Sequence, residues 1–460
     1  MKPSSIDHRL LENFSWPLLF SMIGLCACGL LNLYSLSAHA EFIDESSWFV
    51  RQSTYLGIGV AGLIFVLFFD YQHLKKIIWP AYVLSIVSLI LVIKFGSSAN
   101  HAMRWLDLGF VRFQPSEAAK VTVVLALAYW LSKRDFTSGL DFKDLPIPAL
   151  IVLVPFVLIH KQPDLGTALH ILGTSATIFF VFKMRPRLLI SIILAAVLGA
   201  GLLVSVAASG SWDTLRDKGI IKDHQIKRID TFLSPDKDPK GDGWQIIQSR
   251  NAVGSGQLFG RGFMEGTQHK NDFLPEAQTD FAFAALAEEW GFLGGLVILS
   301  LFLCLFSAGL MLARRSRDRF GSLIILGMTS MLFWQMLINV AMVVGLMPVV
   351  GIPLPFVSFG GTSLLVCVGA VAMILNVGMR RYQGQEEPIK ENPFVWSQPA
   401  DDDRLIVTVP VRRLALDTPF NPELHPSHRL PHTRPWAKYL RKSRCLSDWR
   451  VPDAIDLMKD

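Results

Sequence analysis

The sequence predicts an all-α integral membrane protein of about ten transmembrane helices, with a large extracytoplasmic loop between helices 7 and 8. Three observations carry the prediction. The chain of 460 residues is 51% hydrophobic and only 18% charged. Its apolar residues come in blocks long enough to cross a bilayer, which takes about 20 helical residues each. Backbone in lipid must also satisfy its own hydrogen bonds, which leaves helices for blocks of this length.

Ten spans follow in order, at residues 16–37, 54–69, 77–95, 117–132, 145–160, 166–183, 188–208, 287–313, 321–348 and 364–379. The opening "MKPSSIDHRLLENFSWPLLF" lacks a short apolar core followed by a small-residue cleavage site. Residues 1–15 therefore read as a cytoplasmic lead into an uncleaved first helix. Basic residues fill alternate short loops, from Lys75 and Lys76 through Arg314 and Arg315 to Arg380 and Arg381, whereas "EFIDESSWFVRQ" opposite them is net acidic. The positive-inside rule then places both termini in the cytoplasm. The same rule accounts for the formal net charge of +6 without invoking nucleic acid. Residues 382–460 hold many prolines, mixed charges and no span, and read as a flexible cytoplasmic tail with at most a short strand at "RLIVTVPV". Four of the five cysteines lie inside apolar runs and fit small hydrophobes better than a disulfide framework.

Four stretches fall on the outer side, and each carries candidate chemistry. In "RWLDLGFVRFQPSEAAK", Pro115 precedes a helix with Ser116 as a plausible N-cap and Glu117 in its first turn. Lys120 stands three residues after Glu117, on the same helical face. A charged pair at the membrane faces the bundle interior or a wet cavity, so capping and substrate binding both fit. Arg104 and Arg112 flank the motif as phosphate-holding residues or interfacial anchors. In "KQPDLGT", Asp164 suits a turn acid capping the sixth helix, or a substrate contact.

The long segment at 209–286 contains "GSGQLFGRG", spaced loosely like a phosphate cradle but without the strand-then-helix context that such a site needs. "GWQIIQS" brings Gln248, whose amide suits sugar hydroxyls, and "GTQHK" brings Thr267 as a further substrate-binding candidate. The segment ends on "FLPEAQTDFAFAALAEEWG". Glu276 follows Pro275 at an expected helix start, and Asp280 shares its face four residues on. Dipole complementation covers Glu276 but covers Asp280 less well, because the helix is already turning apolar there. A carboxylate at the mouth of a partly apolar cleft is suited to general-base work. Glu288 and Glu289 go deeper and fit hydrogen bonds within the bundle or a cavity wall. No His/Cys cluster has zinc spacing and no nucleophile elbow occurs. Carboxylates, basic residues and aromatics on one leaflet suit an anionic lipid-linked substrate, handled by transfer or by transport.

"RWLDLGFVRFQPSE", "QPDLGT", "GWQIIQS", "LPEAQTDFAFAALAEEWGF" and "GIPLPFVSFGGTS" closely resemble the SEDS (shape, elongation, division and sporulation) family of bacterial membrane proteins, and its rod-shape branch more than its division branch. The resemblance spans about residues 16–381 and leaves the tail out. It implies a ten-helix peptidoglycan glycosyltransferase of the bacterial inner membrane, acting on lipid II at its periplasmic side. The implied partner is a cognate class B penicillin-binding protein within the rod, or elongation, complex. The family's essential acid falls on Asp280, and its other implicated positions on Glu117, Lys120, Asp164 and Ser358. The family pattern departs at Phe359, where Tyr is common, at Thr362, where Ser is common, and at Ala277, where a larger residue often stands. No cofactor is evident, and a divalent cation, Mg or Mn, is left open without a ligand set. A lipid II flippase and a division-type polymerase are the alternative readings.

Overall fold

The computed structural model describes residues 13–38, 47–95, 97–99, 102–107, 112–134, 140–182, 242–270, 273–274 and 276–380, with scattered positions between 187 and 234. All of them belong to the first of two units into which the chain divides, Met1–Trp396. Helices dominate: α1 (Trp16–Ala38), α2 (Trp48–Phe68), α3 (Leu74–Phe95), α4 (Pro115–Ser132), α5 (Pro146–Lys161) and α6 (Leu165–Val181). After the scattered positions come α7 (Asp242–Ser255), α8 (Thr267–Lys270), α9 (Ala282–Arg315), α10 (Arg319–Val343) and α11 (Gly361–Met379). Nine of the ten expected spans correspond to described helices, and the other, 188–208, lies outside the described residues apart from isolated positions.

Among the described residues, six helices are long and apolar enough to cross a membrane, namely α1, α2, α3 with its preceding turn, α9, α10 and α11. α5 and α6 are shorter apolar helices, while α4 carries Glu117 and Lys120 in its first turns. α2 starts at Trp48 rather than 54, because the Ser47 side chain accepts from the Val50 amide. Hydropathy marks the lipid boundary, whereas a cap marks the helix boundary, and here the two differ by more than a turn.

α10 is the hub. It packs on α4, α6, α9 and α11, and every residue from Phe320 to Leu332 is buried. A helix that is apolar all round belongs in the interior. α2 and α3 instead turn Ile58, Phe65, Phe68 and Leu84 outward, as lipid-facing helices do. Gly29 of α1 lets the loop after α10 come close: a Cβ there would lie 2.5 Å from the Phe356 carbonyl oxygen.

Two features add to the expected spans and loops. A small antiparallel sheet, β1 (Ser97–Ala99), β2 (Ala102–Asp107) and β3 (Arg112–Phe113), occupies the first outer stretch, with Asp107 opposite Arg112. The long loop contains α7, a 14-residue helix whose Ser249 hydroxyl donates to the Val343 carbonyl of α10 at 2.9 Å.

α9 runs 34 residues but is two helices joined at Gly291, whose φ of 68° and ψ of −166° are not helical. The break orphans backbone groups, and the 257–262 turn satisfies them. Arg261 and Gly262 amides donate to the Glu288 and Glu289 carbonyls at 3.0 and 3.1 Å. In return, Phe292 and Leu293 amides donate to the Gln257 and Leu258 carbonyls at 2.8 and 3.1 Å. Only glycine fits at this crossing: Gly260 has φ 82°, and a Cβ at Gly291 would lie 2.2 Å from the Gly260 nitrogen. Gly256 and Gly260 of "GSGQLFGRG" thus serve close backbone approach to α9 rather than the loose phosphate cradle.

Candidate functional site

The four stretches expected on the outer side meet around one cavity of about 220 Å³. Trp105 and Gln114 come from the sheet stretch, Glu117 and Lys120 from α4, and Thr167 and His170 from α6. Thr279 and Asp280 come from the turn before α9, and Gly351 to Pro353 with Phe359 to Gly361 and Ser363 from the segment entering α11.

α4 begins with Gln114 as its N-cap residue and Pro115 at its first position, so Ser116 lies inside the helix and is not the cap that the sequence suggested. Pro is well placed there because the missing N–H would have no helical partner. Glu117 and Lys120 then project from one face into the cavity floor. The Glu117 carboxylate and Lys120 ammonium lie 2.8 Å apart, and the side chains are 3% and 4% exposed. A second Lys120 hydrogen reaches the Gln335 Oε1 at 3.3 Å.

Gln335 and Asn339 lie four residues apart on α10, so they share a face. Gln335 Nε2 donates to the Pro353 carbonyl at 3.0 Å and to the Ser363 hydroxyl at 3.1 Å. Asn339 Nδ2 donates to the Asp280 carbonyl at 2.9 Å and to the Ile352 carbonyl at 2.7 Å. The hub helix therefore fixes the floor lysine, the Asp280 turn and the 351–353 loop with two side chains. Gln52 of α2 completes the clamp, donating to the Ser358 carbonyl at 3.0 Å and accepting from the Gly360 amide at 3.3 Å. The Phe359 amide donates to the Gln278 carbonyl at 2.8 Å, joining the loop to the Asp280 turn.

Asp280 is half-buried in the cavity wall, with its Oδ2 facing the backbone of Gly351. It does not share a helix face with Glu276. α9 starts at Ala282, and Glu276 sits in a turn with φ 57°, exposed, its carboxylate accepting from the Thr279 hydroxyl at 3.0 Å. Local hydrogen bonds to the side chain outcompete the helix there.

The remaining candidates do other things. Asp164 is the N-cap of α6, and its carboxylate accepts from the Thr167 amide at 3.2 Å and hydroxyl at 2.9 Å. It is buried, and it is Thr167 that lines the cavity. Gln248 accepts from Asn251 on α7, and the Ser358 hydroxyl accepts from the Leu354 amide at 2.9 Å, both away from the lining. Thr267 opens α8, where its amide and hydroxyl donate to Glu288 Oε1 at 2.8 and 2.9 Å. Glu289 accepts from the Ser35 hydroxyl of α1, so neither deep glutamate lines the cavity. Arg104 precedes Trp105 in β2 and Arg112 lies in β3; their side chains are outside the described residues.

Gln335, Asn339, Gln52 and His170 escaped the sequence reading. Their signal was present: isolated amides and an imidazole inside apolar helices, where polar groups are costly unless they are used. The described residues offer no ligand set for a divalent cation. Among the described residues no group of three or more His, Cys, Asp or Glu could hold one, and one Glu117 oxygen is already on Lys120.

The family model described as "Cell cycle protein", which covers FtsW, RodA and SpoVE, matches residues 16–383. The chain is a SEDS protein. Among its curated relatives, "Peptidoglycan glycosyltransferase MrdB" of Escherichia coli K12 is 38% identical over 300 residues, covering 65% of this chain and 77% of that one. The crystal structure of the rod shape determining protein RodA from Thermus thermophilus is 29% identical, with a TM-score of 0.58, covering 81% of this SEDS protein and 98% of its own chain. A chain of a peptidoglycan synthase complex, solved in work on the structural coordination of polymerization and crosslinking, is 30% identical. Its TM-score is 0.66, and the match covers 81% of this SEDS protein and 99% of that chain.

Proposed function

We propose that this SEDS protein is a peptidoglycan glycosyltransferase that polymerises lipid II into glycan strands during cell elongation. It works in the inner membrane with both termini cytoplasmic, beside a class B penicillin-binding protein. The observation that carries this reading is Asp280, which stands in the wall of a cavity where all four outer stretches converge. The relative named as a peptidoglycan glycosyltransferase and the neighbour from a polymerisation and crosslinking complex support the chemistry and the partner.

In the mechanism, Asp280 takes the proton from the C4 hydroxyl of the acceptor's GlcNAc. That oxygen attacks C1 of the donor MurNAc as the bond to undecaprenyl diphosphate breaks, inverting an α donor to a β-1,4 product. A single displacement needs one base and charge stabilisation of the leaving group. Lys120 is neutralised where it stands by Glu117, so Arg104 and Arg112, carried on strands beside Trp105 and Gln114, are the cations for the departing diphosphate. Asn339 and Gln335 hold the reacting geometry through the backbone. The residues 209–286 supply the base, and residues 16–381 form the membrane domain.

The test is polymerisation of lipid II by the purified protein in detergent. Wild type is expected to form glycan strands and Asp280→Asn to form none. Strand formation by Asp280→Asn at the wild-type rate would remove the base, and a wild type active only in sealed vesicles would make the protein a transporter.

A further inference from the structure

We propose that His170 reads the substrate: its Nδ1 accepts a hydrogen bond from a hydroxyl or amide N–H of an uncharged sugar in a cavity floor unsuited to the diphosphate. This rests on the polymerase reading above and adds a subsite to it.

His170 lines the cavity from α6 and is only 1% exposed. Its Nε2 lies 2.7 Å from the Met331 carbonyl oxygen of α10. A carbonyl only accepts, so the ring hydrogen is on Nε2 and Nδ1 of the neutral ring keeps its lone pair. Among the described residues, Nδ1 has no hydrogen-bond partner, and neither does Oε2 of Glu117 in the same lining. Buried acceptors without donors are costly, and native structures retain them where a ligand or water completes them.

Charge decides what kind of ligand. The charged lining residues are Glu117, Lys120 and Asp280, two carboxylates against one ammonium. The ammonium is already in contact with a carboxylate and an amide oxygen. A diphosphate placed here would meet spare acceptors and excess negative charge. A sugar ring offers what the floor lacks, hydroxyl and acetamido hydrogens, and Trp105 gives it an apolar wall.

Two substitutions separate the ring nitrogens. His170→Gln keeps an amide donor near the Nε2 position, toward Met331, and removes the Nδ1 acceptor. His170→Asn keeps an acceptor near Nδ1 and loses the reach to Met331. With full-length protein in detergent, His170→Gln is expected to raise KM and the Kd of fluorescent lipid II about three- to tenfold, with kcat within about twofold and Tm unchanged. His170→Asn is expected to lower Tm and to raise KM and Kd less than His170→Gln does. Unchanged constants in the Gln variant, or constants that worsen in both variants in step with Tm, would overturn the subsite and leave His170 a packing residue or a water contact. Because Kd is measured without turnover, a wild type that binds lipid II but forms no strands would sink the polymerase reading and still decide the subsite.

Discussion

The Glu117 carboxylate and the Lys120 ammonium sit 2.8 Å apart, one turn along α4, and almost no solvent reaches either. Attraction between such a pair repays desolvation only while both partners are present. Glu117→Gln alone leaves a buried ammonium with a neutral neighbour and is expected to destabilise by about 3–5 kcal/mol. Adding Lys120→Met should recover at least half of that, because it removes the uncompensated buried charge and leaves an apolar side chain on a helix whose Ala119, Val123 and Val124 are already core residues. Thermal unfolding in detergent of the wild type, the two single variants and the double checks this. A double variant as unstable as the sum of the singles would mean that the ion pair is not the stabilising unit.

Asn339 makes a second separation between stability and function. Its amide holds the carbonyls of Asp280 and Ile352 at 2.9 and 2.7 Å. Asn339→Leu keeps the branched shape and leaves both carbonyls without that donor, at about 1–3 kcal/mol each. The turn that carries Asp280 is expected to loosen, and a displacement of about 1 Å can lower a rate about 100-fold. Polymerisation should fall at least tenfold, mainly in kcat, while lipid II binding changes less. Wild-type kcat in a folded Asn339→Leu protein would show that the turn is held elsewhere.

Much of this arrangement was legible in the sequence. Nine of the ten expected helices were, because a long block of apolar residues in lipid can only be helix, and so was the Glu117–Lys120 pair, because i, i+3 spacing puts it on one face. Asp280 stood out as an acid that no helix end explained. The helix assumed for Glu276 to Asp280 failed because a four-residue spacing says nothing about a local turn, and here Thr279 bonds back to the Glu276 carboxylate. Gly260 and Gly291 could not be paired from sequence, since their contact is between backbones about thirty residues apart. Gln335 and Asn339 were visible as amides in an apolar span, but what they hold depends on which loops fold back onto α10.

Glu288 reports on the long loop. Its carboxylate accepts from the Thr267 amide and hydroxyl at 2.8 and 2.9 Å and from the Gln268 amide at 3.2 Å, so it caps α8 from another helix. The 3.8 Å approach of Arg261, which is 39% exposed, adds little against solvent. Hydrogen bonds to a charged acceptor contribute about 1.5–3 kcal/mol each, so Glu288→Ala should sharply raise amide exchange at Thr267 and Gln268. Glu288→Gln, which keeps one acceptor oxygen, should fall between. Equal protection in all three proteins would show that α8 is held by other contacts.

The Gly260–Gly291 crossing is an unforgiving point in the described fold. Both residues have positive φ, and a Cβ at Gly260 would lie 2.1 Å from the Glu289 carbonyl oxygen. Neither clash can be relieved by a side-chain rotation, because the opposing atoms are backbone. Moving the backbone would break the four hydrogen bonds that satisfy the kink, so Gly260→Ala and Gly291→Ala are each expected to cost about 3 kcal/mol or more. Gly57 in α2 and Gly254 in α7 have open space where a Cβ would go. Alanine at either should be neutral or stabilise by up to about 1 kcal/mol, through the helix propensity that glycine lacks. Comparing the yield and Tm of the four variants in one detergent checks the contrast. If Gly291→Ala tolerates heat as well as Gly57→Ala does, the two halves of α9 can join without this crossing.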